Sequence, residues 1–288
     1  MTPWKIAAVA AGVCAAVVSV TGQDVTFRAR QDLVRVDALV TRNGVPVLGL
    51  QPSDFEVLDN GVPQRLDHVS FDEDSVNAIL ALDMSASVAG RELDDLRSAG
   101  RALLGALKPG DQSALVTFSE VVALRAPLSG DVSKARAALD VVRGQGQTSL
   151  LDGVYASLVV GEADLGRSLV IVFTDGVDSS SWLTDAAIFD TAKRSAAVVY
   201  AVAPSLPDRA TFLRDLTTAT GGRLVTSGLA DLSRVFVDVL KEFRQRYVLG
   251  YSPQGVTRAG WHTIEVRVRG AKGRGVTVNK RPGYLAGP

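Results

Sequence analysis

The chain has 288 residues, of which 47% are hydrophobic and 22% charged, which describes a folded protein with a real core and room for one large or two modest domains. Lys plus Arg and Asp plus Glu number 31 each, so the formal net charge is zero and no overall field draws the protein to nucleic acid or to an acidic membrane. Its two histidines, His68 and His262, leave little material for zinc chemistry or for histidine acid–base catalysis.

The first segment has the pattern of a secretory signal: Lys5, then the Ala- and Val-rich stretch Ile6–Val20, then small or polar residues to Gln23. Residues 1–22 are expected to be removed by cleavage near Gly22, with an uncleaved anchor as the alternative. The apolar stretch falls short of the roughly 20 residues of a membrane span, so no stable span is expected after cleavage. Cys14 follows Val13, where a lipid-attachment site wants Gly, Ala or Ser. Without that segment the chain has no cysteine and can form no disulfide.

Residues 23–73 are expected to form a β-segment. Val34, Val36, Ala38 and Val40 recur with a period of two, Asn43-Gly44 and Asn60-Gly61 mark tight turns, and Phe55–Leu58 is a short strand between them. From 74 to 246 strands alternate with helices. Val76–Leu82, Ala114–Phe118, Leu169–Phe173 and Val198–Val202 are short apolar runs of the kind covered on both faces. Leu93, Leu96, Leu103, Leu104 and Leu107 stripe one helix, and Leu229 to Phe243 carry the 3.6-residue stripe of the last. The alternation predicts an α/β fold with a doubly wound, mainly parallel sheet, whose ligands sit outside the carboxyl ends of the strands. Residues 247–288 return to β, with Tyr247–Tyr251 and the alternating Ile264, Val266 and Val268, and are expected to join the N-terminal segment in one small β-module. Arg244, Arg246, Arg258, Arg267, Arg269, Lys272, Arg274, Lys280 and Arg281 make this end basic. A solvated sheet face is the simple reading, and a contact with an acidic partner the sharper one.

The chemistry concentrates at strand ends. Asp83, Ser85 and Ser87 alternate directly after the first central strand, where a tight turn can aim all three at one point. Thr148 sits in a Gly-rich turn, and Asp175 ends the strand Leu169–Phe173 in Phe-Thr-Asp-Gly. Two carboxylates and three hydroxyls suit a hard cation, Mg²⁺ first and Mn²⁺ or Ca²⁺ next. Each residue has an ordinary use as well: the serines as caps, Thr148 as the N-cap of a helix over 149–161, and Asp175 as a turn former. Asp83 and Ser85 are expected in a surface loop. Asp152, one helical turn after Thr148, reads as supporting rather than ligating, and Asp178 as a rim or solvated loop carboxylate. Enzyme signals are missing. There is no Gly-x-Ser-x-Gly elbow, no Walker loop and no third glycine after Gly144 and Gly146, and Asp83-Met84-Ser85 lacks the second aspartate of an aspartyl phosphatase. His262 reads as a core or surface residue.

The set Asp83-x-Ser85-x-Ser87, Thr148 and Asp175 resembles the metal-ion-dependent adhesion site of von Willebrand factor type A domains, with all five positions filled. With Gly49-Leu50, Asp54-Phe55, Tyr247–Tyr251 and Arg281–Tyr284 on the flanks, the layout is similar to a secreted bacterial family, known mostly from Acidobacteria, over most of the mature chain. That resemblance implies direct coordination by Ser85 and Ser87, by Thr148 once a ligand is engaged, and water-mediated roles for Asp83 and Asp175. It further implies that the Asp or Glu of a protein partner can complete the ion's shell. With the signal pattern and the missing enzyme motifs, the expectation is a secreted, periplasmic or envelope-facing binding module and not an enzyme. A scaffold with a purely structural ion and a metal-assisted hydrolase are the alternatives.

Overall fold

The computed structural model describes residues 33–164, 166–175, 177–205 and 208–287; the expected signal segment lies outside them. β1 (Val34–Arg42) turns into β2 (Val45–Pro46) through Asn43 and Gly44, at φ 50° and 78°. β3 (Phe55–Asp59) likewise turns into β4 (Val62–Gln64) through Asn60 and Gly61, at 48° and 79°. Both pairs take the left-handed conformation that a two-residue hairpin demands. β5 (Leu66–Phe71) completes this part.

The central part follows as β6 (Val76–Asp83), α1 (Arg91–Gly105), β7 (Gln112–Phe118), β8 (Val122–Ser129), α2 (Val132–Val141) and α3 (Leu150–Gly161). Then come β9 (Arg167–Phe173), α4 (Asp185–Arg194), β10 (Val198–Ala203), α5 (Ala210–Thr220), β11 (Leu224–Thr226) and α6 (Leu232–Arg244). The six strands are ordered β11-β10-β9-β6-β7-β8, parallel throughout except for β8. Every residue of β6 is buried. Leu80 and Leu82 pack with α1, α2 and α6 on one face, Ile79 and Ala81 with α3, α4 and α5 on the other. β8 and β11 have no counterpart among the expected strands. Both lie at sheet edges, where one-sided burial and, in β8, Arg125 and Pro127 break the apolar run. The last helix is preceded by a 3₁₀ turn at Leu229–Asp231.

The chain closes with β12 (Tyr247–Tyr251), β13 (Gly260–Val268), β14 (Val276–Asn279) and β15 (Gly283–Ala286). These interleave with the N-terminal strands in two antiparallel sheets, β14-β1-β12-β5 with β2 beside β1, and β15-β13-β3-β4. Val36, Val40, Phe55, Val57, Leu249, Ile264 and Val266 fill the core between them. His262 is buried there, its Nδ1 2.7 Å from Asp59 Oδ1. Tyr251 and Tyr284 donate to the other oxygen of Asp59, each at 2.9 Å.

Arg258, Arg267, Arg269, Lys272 and Arg274 are exposed, as a solvated face requires. Arg244, Arg246 and Arg281 of the basic end are instead buried at the amino ends of the central strands. Arg244 pairs with Asp111, and Arg246 donates to Tyr200 and to the carbonyls of Asp37 and Gly221. Arg281 donates to the carbonyls of Ser195 and Lys193. Arg167, also buried, donates to Asp37 at 2.8 Å and to the carbonyl of Phe243 at 3.1 Å. Central sheet and β-module are thus joined by charged hydrogen bonds. Among the described residues no helix is long and apolar enough to cross a membrane.

Candidate functional site

β6 runs between β9 and β7 and delivers Asp83 at the carboxyl edge of the sheet. The backbone N–H of Ser85 donates to Asp83 Oδ1 and the hydroxyl of Thr174, at the end of β9, donates to Oδ2, each at 2.9 Å. The Ser85 and Ser87 hydroxyls are bonded to each other at 2.9 Å, and Ser87 donates to Asp175 Oδ2 at 2.6 Å. One hydrogen-bonded chain therefore runs from Asp83 through both serines to Asp175. Asp83 and Ser85 are buried, at 0% and 3% exposure, where a surface loop was expected: the turn folds back over the strand end. Burial pushes the Asp83 carboxyl up to about 6, with Asp175 adding repulsion against the bonds from Ser85 and Thr174.

Thr148 is brought alongside by backbone. Gln145 N–H donates to the Met84 carbonyl at 2.8 Å, and Ala86 N–H to the Gly146 carbonyl at 3.0 Å. The approach is close. A Cβ on Gly144 would stand 3.0 Å from the Ser85 carbonyl oxygen, and Gly146 has φ +77°. Thr148 itself is buried, its N–H donating to Ser179 Oγ and its carbonyl accepting from the N–H groups of Ser179 and Ser180. Among the described residues, no hydrogen bond joins its hydroxyl to the chain of Asp83, Ser85, Ser87 and Asp175.

Asp152 and Asp178 lie in a clamp beside the site. Asp152 accepts from the N–H groups of Trp182 and Leu183, which fixes the loop before α4. Asp178 accepts from Leu150 N–H and Ser181 Oγ and pairs with Arg209 at 3.4 Å. With only 7% of its side chain exposed, it is no solvated loop carboxylate; it satisfies the start of α3. Ser181 accepts from Leu151 N–H, and Ser180 bonds Ser149, because Ser149 at the N-cap makes no side-chain cap of its own. Sequence reasoning missed Thr174 and the serines 179–181. The run Asp178-Ser179-Ser180-Ser181 is a signal of capping chemistry, but its partners lie some 30 residues upstream.

The donor set fits a hard cation. No group of three or more His, Cys, Asp or Glu that could hold a metal occurs among the described residues, which leaves the nitrogen- and sulfur-loving metals without their usual sites. Asp83 and Asp175, by contrast, are linked through the Ser85 N–H and the hydroxyls of Ser85 and Ser87, and among the described residues no Lys or Arg pairs with either. All the converging atoms are oxygens.

Residues 78–197, which span every residue of this set, match the family model of the von Willebrand factor type A domain. In sequence, no protein of curated function matches the chain. Among solved structures, it is similar to an aerotolerance-related membrane protein from Bacteroides fragilis, at TM-score 0.51 and 14% identity, over 59% of this chain and 100% of that one. The von Willebrand factor domain of the type V pili tip protein Mfa5 from Porphyromonas gingivalis gives 0.51 and 12%, over 58% and 94%. Proximal thread matrix protein 1 from the mussel byssus, solved with zinc in its MIDAS motif, gives 0.55 and 18%, over 64% of this chain and 49% of its own. The central sheet with its helices is thus a von Willebrand factor type A domain fold, flanked by antiparallel sheets from the two ends of the chain.

Proposed function

We propose that Asp83, Ser85, Ser87, Thr148 and Asp175 hold a divalent cation, Mg²⁺ by preference, and that the protein binds a partner through it. The carrying observation is the chain Asp83–Ser85–Ser87–Asp175, in which two carboxylates that have no Lys or Arg partner among the described residues are joined through the Ser85 N–H and two hydroxyls. When bound, the ion supplies an electrophilic position that an Asp or Glu of a partner protein can fill. Asp83, held by Ser85 and Thr174, sets the turn that orients Ser85 and Ser87. Thr148 waits on a loop bonded to that turn at Met84 and Ala86. The N-terminal pattern of Lys5 and Ile6–Val20 supports a secreted or envelope-facing location, and the missing acid–base and nucleophile motifs support adhesion over catalysis.

Calorimetric titration with Mg²⁺ or Mn²⁺ tests the ion. Asp83→Ala and Ser85→Ala are each expected to abolish binding while circular dichroism stays that of the wild type. Undiminished binding by either variant would remove the assignment.

A further inference from the structure

The candidate site lies between two unlike lips, which the topology separates. α1 packs on one face of the sheet, α3 and α4 on the other, and the carboxyl edge with Asp83 and Asp175 lies between them. On the α1 side stands Glu92, in the first turn of the helix, with Asp95 behind it. α1 begins at Arg91, just after the 3₁₀ turn Ala86–Val88 that carries Ser87, which sets its first turn at the carboxyl end of β6 beside the site. Burial, then the charges of Asp175 and Asp95, push the Glu92 carboxyl up. Among the described residues neither Glu92 nor Asp95 is in an ion pair. On the α3–α4 side the loop after Asp175 turns apolar: Val177, whose N–H donates to Asp175 Oδ1 at 3.2 Å, is 41% exposed, and Trp182 is 94% exposed.

Trp182 is not exposed because its loop is loose. Its backbone N–H is held by both oxygens of Asp152, at 3.0 and 3.2 Å, and the next residue, Leu183, is held by Asp152 and packs into the core. The backbone is fixed and only the indole stands in water. A tryptophan covers much apolar area at small cost in side-chain freedom, which is why it dominates binding hot spots. Among the described residues nothing covers the indole, so a pinned backbone presents it as an anchor.

We propose that this edge recognises a polypeptide segment with a carboxylate at its centre, a bulky apolar side chain on the flank that meets Trp182 and Val177, and a Lys or Arg on the flank that meets Glu92 and Asp95. The inference rests on the reading that a carboxylate completes the ion's shell. The apolar lip selects by area, the acidic lip by charge complementarity, and together they discriminate among the many acidic side chains a bare cation would accept.

The test is a displayed library of short peptides with an invariant central Asp and randomised flanks, selected on the full chain in Mg²⁺ and, separately, in EDTA. Mg²⁺ binding is measured by calorimetry on the same preparations. Peptides selected in Mg²⁺ should enrich aromatic or large aliphatic residues on one flank and Lys or Arg on the other. Trp182→Ala should weaken the best of them about tenfold at unchanged Mg²⁺ affinity, and Glu92→Gln should erase the basic preference, as should high salt. Mg²⁺-dependent peptides with no flank preference, or an unchanged affinity in Trp182→Ala, would overturn the proposal. So would a chain that binds Mg²⁺ yet selects nothing beyond the EDTA control. A chain that binds no Mg²⁺ brings down the ion reading beneath it, a failure the calorimetry tells apart.

Discussion

At the amino ends of the central strands, Arg167, Arg244, Arg246 and Arg281 are buried, and each finds an acid or a set of carbonyls within the chain. At the carboxyl ends, Asp83 and Asp175 are joined through the Ser85 N–H and the hydroxyls of Ser85 and Ser87, and among the described residues no Lys or Arg pairs with either. Both ends remove charge from water, which costs several kcal/mol per ion unless a partner compensates. The lower end compensates within the chain and is therefore structural, fastening the β-module to the sheet. The upper end offers Asp83 the Ser85 N–H and the Thr174 hydroxyl, and in the proposed reading a cation supplies the rest of the compensation.

The largest expected effect breaks the lower end. Asp37→Ala leaves the Arg167 guanidinium buried beside Phe243, 4.6 Å from the ring centroid, without its acid. Losing one member of a buried pair costs about 3–5 kcal/mol, and urea unfolding should show it. Mg²⁺ affinity per folded molecule should not change, since the pair lies at the opposite ends of the strands. A loss under about 1 kcal/mol would mean that the junction does not depend on this pair.

The next effect belongs to the upper end. Thr148 is placed by its backbone, and among the described residues no bond joins its hydroxyl to the Asp83–Asp175 chain; in the proposed reading that hydroxyl serves the ligand-engaged state. Thr148→Ala should keep most of the ion affinity but lose about 1–3 kcal/mol of partner binding, the usual size of a coupling free energy. Titration of an acidic peptide in saturating Mg²⁺ measures it. Equal affinities would make the ion a structural one.

What could be read from the sequence follows from how local each feature is. The four inner strands announce themselves as apolar runs because both their faces are covered, whereas β8, with Arg125 and Pro127, looks like a loop because one edge is open. Asp83, Ser85 and Ser87 are legible because residues two apart share one side of a turn. The inward arginines are not: Arg167 and Asp37 lie 130 residues apart, and each alone reads as a solvated charge. The serine clamp fails for the same reason. Ser181→Ala tests its weight, since it removes the acceptor of Leu151 N–H at the start of α3. A lost helix cap costs about 1 kcal/mol, which thermal unfolding should show as a small drop in Tm.

The smallest effect sharpens the comparison through pH. Glu242, on α6, receives Arg223 Nη2 at 2.7 Å and the Tyr200 hydroxyl at 2.8 Å. Burial pushes its carboxyl up, but the bonds and charge of Arg223, with the bond from Tyr200, outweigh that and hold it below the usual carboxylate range. A carboxyl depressed in the folded state adds stability above its unfolded pKa, near about 4.3, and loses that contribution as pH falls through the folded value. Glu242→Gln should therefore cost stability at pH 7, by about 1 kcal/mol or less because Arg223 is half exposed. The gap between variant and wild type should close as the pH is lowered toward about 3. Urea unfolding at both pH values decides it. A gap that stays constant would assign the loss to the Tyr200 bond alone, because only the charge of Glu242 titrates away. A closing gap shows an acid already matched by an arginine of its own chain, whereas among the described residues Asp83 and Asp175 accept only from hydroxyls and backbone N–H groups.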